Sequence, residues 1–398
     1  MSDGTPQTWR NMPRSVVALG VVALFMDISS ETVHSLLPLF LVNVIGASTV
    51  TVGIIEGVAE ATAAVARVFS GAISDRLGKR KLLTAFGYGL SALAKPIFPL
   101  AGSAAAVLAA RFFDRIGKGI RGAPRDALIA DITPQDIRGV AFGLRQSLDT
   151  VGAFAGPLLA IALMALYADD FRAVFWWAVV PAVVAMVLMI FGVQEPEGTK
   201  QSGQRGWPIR RADLVRMSGA YWWVVVVGVV FTLARFSEAF LVLKGQDAGL
   251  PVALVPIVMV LMNLMYAAVS TPAGALSDRI GRRKVLIAGL LALVGADLVL
   301  GFAPGRVGLF LGASLWGLYM GLSQGLLSAL VADTAPADLR GTAFGIFNLL
   351  TGGALLVASV LAGILWARYG PTATFAAGAG FAAIAAIALT TDRGRRIL

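Results

Sequence analysis

Long apolar runs recur from one end of the chain to the other, and they restrict its fold more than any other feature. Each run has 18 or more residues, close to the ~20 that a helix needs to cross a hydrocarbon layer about 30 Å thick. Lipid offers an open backbone no hydrogen-bond partner, so the runs must be helices, and none alternates as a barrel strand does. The sequence therefore predicts an all-α polytopic membrane protein with twelve spans, at 15–44, 49–72, 82–103, 104–128, 139–166, 171–193, 218–244, 250–273, 284–303, 306–330, 341–366 and 371–391.

The placement of charge predicts how the bundle lies in the membrane. Only 14% of the residues are charged, the mean hydropathy is +0.79, and the net charge is +10. Twenty of the 33 Lys and Arg lie in segments on one side of the predicted bundle, and only four lie on the other. By the positive-inside rule, both termini are expected in the cytoplasm, in a multi-pass protein of the cytoplasmic (inner) membrane. This distribution disfavours nucleic acid as a partner. The four outward residues are Arg172, Lys244, Arg306 and Arg368.

Other classes of function lack their sequence signatures. There is no cysteine, which excludes disulfides, thiolate metal ligands and thiol redox chemistry. No GxxxxGK[ST], HExxH or GxSxG motif occurs, so we expect neither an ATP-driven pump nor an enzyme, and no cofactor or metal. The first run has no small-residue cleavage site behind a short apolar region and is expected to be a retained helix. A solute sensor without transport stays open as a further class.

The two halves of the chain repeat each other. GAISDRLGKRK at 71–81 matches GALSDRIGRRK at 274–284, which lies 203 residues later. ADITPQDIRGVAFG at 130–143 matches ADTAPADLRGTAFG at 332–345, 202 residues later. Between the halves lies the only long polar stretch, rich in Gly, Gln, Pro and Arg. The sequence therefore predicts a six-helix half at 1–193, a cytoplasmic linker at 194–217 and a second six-helix half at 218–398.

The repeated loop motif resembles the cytoplasmic signature of the major facilitator superfamily. That resemblance implies twelve helices in two pseudo-symmetric halves and secondary transport by alternating access. Each aspartate at the end of its span can pair with basic neighbours and a helix N-terminus, forming a latch that one state makes and another breaks. The basic residues could instead serve topology alone. The predicted gating residues are Asp75, Arg76, Gly78, Arg80, Asp278, Arg279, Gly281 and Arg283.

A second motif lies in the fifth span. Gly152, Gly156 and Pro157 resemble the GxxxGPxxG stretch of the superfamily's antiporters, with Ala160 in place of the last glycine. These residues permit close helix approach and a bend, which a rocking transporter could use as a hinge. Plain tight packing is the competing interpretation. The resemblance to antiporters favours export.

The fourth span carries a stripe of positive charge. Arg111, Arg115 and Lys118 fall on one face at 100° per residue, and Asp114 and Arg115 stand where the family pattern leads us to expect Gln and Gly. A charge in the middle of a membrane costs roughly 2.5–3.5 kcal/mol unless it is paired or faces water. The stripe therefore predicts either a cavity wall that binds an anionic substrate or internal neutralisation by nearby acids.

Proton-coupling residues are predicted in the first two spans. Asp27, Glu31 and His34 lie on one face of the first span, spaced four and three residues apart, and Glu60 lies on the second. Desolvation favours the neutral form of a carboxyl, so a carboxyl in a partly dry cavity can load and release protons. A divalent metal is a rival, although the chain has no second imidazole and no thiolate. A structural ion pair is another.

Polar residues of the second half complete the predicted site. Glu238 lies in the seventh span, and Asn263, Gln324 and Asn348 lie in spans that line the cavity in the family that the chain resembles. We assign all four to the substrate, with helix–helix hydrogen bonding as the competing role.

The sequence as a whole favours a proton-coupled secondary transporter, acting as a monomer in the lipid bilayer, that exports a small organic solute by antiport. Within transport, two alternatives stay open. One is an anionic solute or metal-chelate, siderophore- or carboxylate-like. The other is uptake by symport.

Overall fold

The computed structural model describes residues 12–194, 211–336 and 339–390, apart from the side chains at positions 72, 75, 76, 136, 211 and 212. Helices account for every regular element in these ranges. The first half contains α1 (Arg14–His34), α2 (Leu37–Asn43), α3 (Thr49–Leu77), α4 (Arg80–Ala94), α5 (Ile97–Leu100), α6 (Ala104–Ile132), α7 (Arg138–Leu166) and α8 (Phe171–Gly192). After α9 (Arg211–Arg216), the second half contains α10 (Gly219–Ala234), α11 (Ala239–Asp247), α12 (Ile257–Ile280), α13 (Arg282–Phe302), α14 (Gly305–Thr334), α15 (Arg340–Tyr369) and α16 (Pro371–Thr390).

Three of the predicted spans are interrupted helices. The first consists of α1 and α2, the third of α4 and α5, and the seventh of α10 and α11. Prolines explain two of the breaks, since Pro38 and Pro96 lack the N–H that a continuous helix would need. The break in the seventh span leaves residues 235–238 outside both helices, next to the centre of the bundle.

Ten segments of the described ranges are long and apolar enough to cross a membrane. The third and fourth spans lack the apolar run expected at each of the twelve positions. α4 is only 15 residues long because the helix breaks at Lys95, and α6 carries the charged stripe. α6 tolerates these charges because it packs between α3 and α4, which bury its polar face away from lipid.

The two halves meet along a few helix pairs. α3 packs against α15, α7 packs against α12, and α2 contacts α11. Within the first half α1 packs against α7 and α8, and within the second half α14 packs between α12 and α13. The site therefore lies where α1, α3 and α6 face the seventh span, α14 and α15.

One turn explains why the repeat changes its offset. Gly78 ends α3 in the left-handed region with φ of 61°, and α4 begins two residues later at Arg80. In the second half Gly281, with φ of 92°, is followed at once by α13, which begins at Arg282. The turn in the second half is one residue shorter than the turn in the first. Equivalent residues of the two halves are therefore 203 residues apart when they precede the turn and 202 apart when they follow it. We call the end of the bundle that carries these turns the signature end.

We call the other end of the bundle the opposite end. Contacts between the two halves close it. The side chains of Asn43 and Gln246 exchange hydrogen bonds of 3.3 and 3.1 Å. The hydroxyl of Thr49 donates to the carbonyl oxygen of Gly363 at 3.1 Å. A methyl group built on Gly53 would lie only 2.2 Å from the carbonyl oxygen of Ser359. Glycine is therefore required there for the two backbones to approach so closely.

The same two helices stay in contact toward the signature end. A methyl group built on Gly352 of α15 would lie 2.6 Å from Ala64 Cβ, and one built on Gly345 would lie 3.3 Å from Val68. Small residues on both helices thus make one continuous seam between α3 and α15.

Candidate functional site

Two adjoining cavities occupy the space between the halves. The central cavity, of about 160 Å³, lies nearer the opposite end, and the outer cavity, of about 310 Å³, lies nearer the signature end. The central cavity is lined by Glu31, His34, Glu60, Arg115, Lys118, Arg235, Phe236, Ser237, Glu238, Trp316 and Leu355. Glu60, Arg235 and Leu355 also line the outer cavity, together with Arg67, Gln324, Ser328 and Asn348 among others.

A buried carboxylate lies behind the lining of the central cavity. Glu56 of α3 is only 1% exposed, and its Oε2 accepts from Arg111 and lies 3.3 Å from His34 Nε2. The other ring nitrogen of His34 lies 3.5 Å from Glu31 Oε2. The imidazole therefore connects a carboxylate that faces the cavity with one sealed behind it.

Ion pairs neutralise most of the stripe on α6. Arg111 is bound by Glu56, and Arg115 Nη2 lies 3.2 Å from Glu60 Oε1. The guanidinium of Arg121 donates to Ser91 at 2.7 Å and stacks 4.7 Å over the ring of Tyr88. These residues face α3 and α4 within the first half.

Lys118 differs from the rest of the stripe. Its side chain lines the central cavity, and it forms no ion pair with any residue that the structure describes. Arg111 and Arg115 thus have carboxylate partners within the first half and Lys118 has none within 4 Å in the ranges that the structure describes, and both interpretations of the stripe stay predictions. Deeper in the first half, Lys95 Nζ pairs with Asp114 at 3.0 Å and donates to Ser30 at 2.9 Å, so Asp114 is already satisfied.

The second half contributes the break in the seventh span. Arg235 and Glu238 lie in the residues between α10 and α11, and both face the central cavity. Arg235 likewise has no ion pair among the described residues. Phe236 and Trp316 pack 5.3 Å apart, centroid to centroid, and form an aromatic wall beside them. The cavity thus presents one cation from each half that forms no ion pair among the described residues, together with the carboxylates of Glu31, Glu60 and Glu238.

The structure gathers most of the predicted site residues around these cavities, but not all. Asn263 instead donates to the carbonyl oxygen of Ala153 at 3.2 Å, joining α12 to α7 across the halves. Arg111 lies behind Glu56, outside the cavity lining. Asp27 packs against Gly152, where a methyl group would lie 2.8 Å from its Cβ. The predicted residues that line a cavity are Glu31, His34, Glu60, Arg115, Lys118, Glu238, Gln324 and Asn348.

Sequence reasoning left out Arg235 and the aromatic wall. A signal for Arg235 was present, because it is the only basic residue of the second half that lies in the interior of a predicted span rather than at its end. No comparable signal existed for Phe236 or Trp316, and Phe236 lies in the break that follows the end of α10 at Ala234.

The glycines of the fifth span pack tightly against the first. A methyl group on Gly156 would lie 2.6 Å from Glu31 Cβ and 3.0 Å from the carbonyl oxygen of Ile28. α7 runs through Pro157 without a break. Close packing is therefore present, and the hinge role of Gly152, Gly156 and Pro157 stays a prediction.

The signature end shows the same ion pair in each half. Arg80 pairs with Asp131, and Arg282 pairs with Asp333. Both members of the second pair lie 202 residues after those of the first. Arg283, which the aligned motif equates with Arg80, instead donates to the carbonyl oxygen of Leu389 at 2.7 Å.

The remaining gating residues are only partly described. The side chains of Asp75 and Arg76 lie outside the described residues, as do residues 195–210 of the predicted linker. Asp278 and Arg279 are exposed at the end of α12. Gly78 and Gly281 end their helices, as described above, and the latch stays a prediction.

Comparisons with known proteins agree with this architecture. The model of the Major Facilitator Superfamily matches residues 19–262 and 239–396. An uncharacterized MFS-type transporter of Methanocaldococcus jannaschii is 30% identical over 96% of this chain and 95% of its own length. The cis,cis-muconate transport protein of Acinetobacter baylyi is 25% identical over 75% of this chain and 74% of its own.

Solved structures share the fold. The nucleoside transporter NupG superposes with a TM-score of 0.77 at 14% identity, covering 94% of this chain and 97% of that one. These findings confirm the predicted all-α bundle of two six-helix halves, and the matched proteins are transporters rather than enzymes. The chain belongs to the major facilitator superfamily, whose members carry small solutes across membranes.

Proposed function

We propose that the chain is a proton-coupled secondary transporter that exports a small anionic organic solute across the cytoplasmic membrane. The observation that carries the proposal is the pair of cations, Lys118 from α6 and Arg235 from the break in the seventh span, that face one cavity without an ion pair among the described residues. Basic groups so deep in a membrane protein require water or a counter-charge. A substrate anion would contact a cation of each half at once, in a cavity whose own carboxylates are Glu31, Glu60 and Glu238.

The chemistry of one relative supports an anion. Muconate is a dicarboxylate, and the relative from Acinetobacter baylyi is a cis,cis-muconate transport protein. The size of the central cavity, about 160 Å³, suits a small solute, and the outer cavity adds a route toward the signature end. A charge-assisted hydrogen bond in such a site contributes about 1.5–3 kcal/mol.

The conformation fits loading from the cytoplasm. The basic excess around the signature turns supports a cytoplasmic position for that end by the positive-inside rule. Side-chain exposure rises in the same direction, from 1% at Glu56 through 18% at Glu31 to 33% at Glu60. The opposite end is closed by Asn43 and Gln246. A cavity reached from the cytoplasm is the state in which an exporter takes up its solute.

Glu31 and His34 are the proposed proton carriers. Glu31 faces the cavity, and His34 links it to the sealed Glu56, so a proton added at Glu31 removes a negative charge beside Lys118. Competition or cooperation between proton and solute at this point is the basis of coupling.

The test is flux of small dicarboxylates, muconate first, in proteoliposomes under an imposed pH gradient. Transport driven by the gradient, lost in Lys118→Ala and in Arg235→Ala but kept in Arg368→Ala, supports the proposal. Arg368 is a suitable control because it is exposed on the last turn of α15. The direction of the gradient that drives accumulation distinguishes antiport from symport, and symport would refute export. Equal flux for neutral analogues of the same size would refute the anion.

A further inference from the structure

Asp297 of α13 is a buried carboxyl that the proposed transport site does not use. Its side chain is 0% exposed, and neither carboxylate oxygen has a hydrogen-bond partner within the described ranges. An ionised carboxylate in such a place would lose its hydration without any compensation. A protonated carboxyl avoids that cost and also gains one O–H donor.

An acceptor for that donor lies beside it. A methyl group built on Gly378 of α16 would lie 2.5 Å from Asp297 Oδ2 and 3.2 Å from the carbonyl oxygen of Ala234. Both oxygens therefore lie beside the same glycine. α10 ends at Ala234, so no helical N–H follows to satisfy this carbonyl group.

Few charged or titratable groups face Asp297 from the surrounding helices. α16 contains none. On α12 the charged residues, Asp278 and Arg279, lie in the last turn at the signature end, whereas Asp297 lies near the opposite end of α13. α14 contributes the buried hydroxyl of Tyr319, and its charged residues, Arg306 and Asp333, lie in its first and last turns.

We propose that the carboxyl group of Asp297 is protonated and that its O–H donates a hydrogen bond to the carbonyl oxygen of Ala234. This hydrogen bond positions the 235–238 segment in the central cavity. The proposal rests on the proposed role of Arg235 in that cavity. Asp297 is thus a positioning residue, because it acts on the site through the end of α10. Ionisation would remove the donor and set a negative charge against a carbonyl oxygen, which releases the segment.

Protonation can be tested without any substrate. Infrared spectra of the full chain at neutral pH should contain the carbonyl stretching band of a protonated carboxyl that disappears in Asp297→Asn. An unchanged spectrum would overturn the proposal, because Asp297 would then be ionised. This measurement is independent of transport, so it can fail while the proposed function stands.

The position of the segment needs a second measurement. Because the chain has no cysteine, a single Ser237→Cys substitution places one thiol in the segment. We expect the same maleimide labelling rate with Asp297→Asn, whose amide keeps a donor. Asp297→Leu fills the space without a donor, and the rate should rise about tenfold, the effect of one lost hydrogen bond at the upper end of its range.

Two comparisons make the result decisive. A cysteine at Ser328, which lines the outer cavity from α14 and is not part of the segment, should label equally in all three backgrounds. Gly378→Ala, which inserts a methyl group between the two oxygens, should behave like Asp297→Leu. If Asp297→Leu labels at the parental rate, or if Asp297→Asn labels as fast as Asp297→Leu, the carboxyl does not anchor the segment and the proposal fails.

Discussion

Asn43 and Gln246 exchange two amide hydrogen bonds across the opposite end of the bundle, and they occupy equivalent positions in the two halves. They lie 203 residues apart, which is the offset of the repeat before the signature turn. A residue and its repeat equivalent can meet only at the axis that relates the halves. The pair therefore marks that axis and ties the first span to the seventh.

Breaking this pair should favour the state that is open at the opposite end. Asn43→Ala removes both bonds, and because the pair is exposed we expect a shift of about 1 kcal/mol, or about fivefold in the population of the two states. The measurement is labelling of a cysteine at Ser237 by an impermeant maleimide supplied at the opposite end.

The swapped variant, Asn43→Gln with Gln246→Asn, is the matched control. It preserves both donors and both acceptors, so its labelling should match the parent. If Asn43→Ala also matches the parent, the amide pair does not hold that end closed.

The two cavity cations, Lys118 and Arg235, predict how the charge of a substrate affects its binding. Lys118→Ala should weaken binding of a carboxylate solute by roughly 10- to 150-fold and should leave binding of its neutral amide little changed. Arg115→Ala differs, because it leaves Glu60 without its ion pair, so folding stability should also fall. Isotherms for both solutes on folded protein check this, and equal losses for the two would contradict an anionic substrate.

The position of Glu31 in the cavity lining predicts a separation of two transport modes. Glu31→Gln should abolish proton-driven flux and retain counterflow exchange, since only the uphill step needs the proton. The sequence argument applied equally to Asp27, but Asp27 packs against Gly152 outside the cavity lining. Asp27→Asn should therefore retain more proton-driven flux. Full proton-driven flux in Glu31→Gln would exclude it as the carrier.

The buried Glu56 predicts a large effect on stability. Glu56→Gln leaves the charge of Arg111 unpaired, and removal of one member of a buried ion pair costs about 3–5 kcal/mol. The double variant Glu56→Gln with Arg111→Met should recover much of that loss because no charge stays unmatched. Thermal unfolding in detergent measures both, and a single variant as stable as the parent would contradict a structural role for the pair.

The sequence predicted the architecture well because its signals were local or repeated. Apolar runs gave the spans, and the two offsets located the halves. The change from 203 to 202 residues was not interpreted from the sequence, and the structure locates the one-residue difference at the turn between Gly281 and Arg282. That difference also explains why Arg282, and not the aligned Arg283, pairs with an aspartate.

The site was harder to predict, because each charge depends on partners that are distant in sequence. The periodicity of α6 put Arg111, Arg115 and Lys118 on one face, and only the packing of α3 distinguished them. Glu56 and Glu60 each neutralise one arginine and leave the lysine. Arg235 lines the cavity because α10 ends at Ala234, and no proline in the sequence predicts that helix end.

The small-residue seam between α3 and α15 blocks a lateral route from the lipid to the cavity. Its contacts run from Gly53 near one end to Gly345 near the other, with no room even for a methyl group at the tightest point. A compound dissolved among the acyl chains finds no gap between α3 and α15 there. A lipid-soluble compound therefore cannot enter the cavity through this seam.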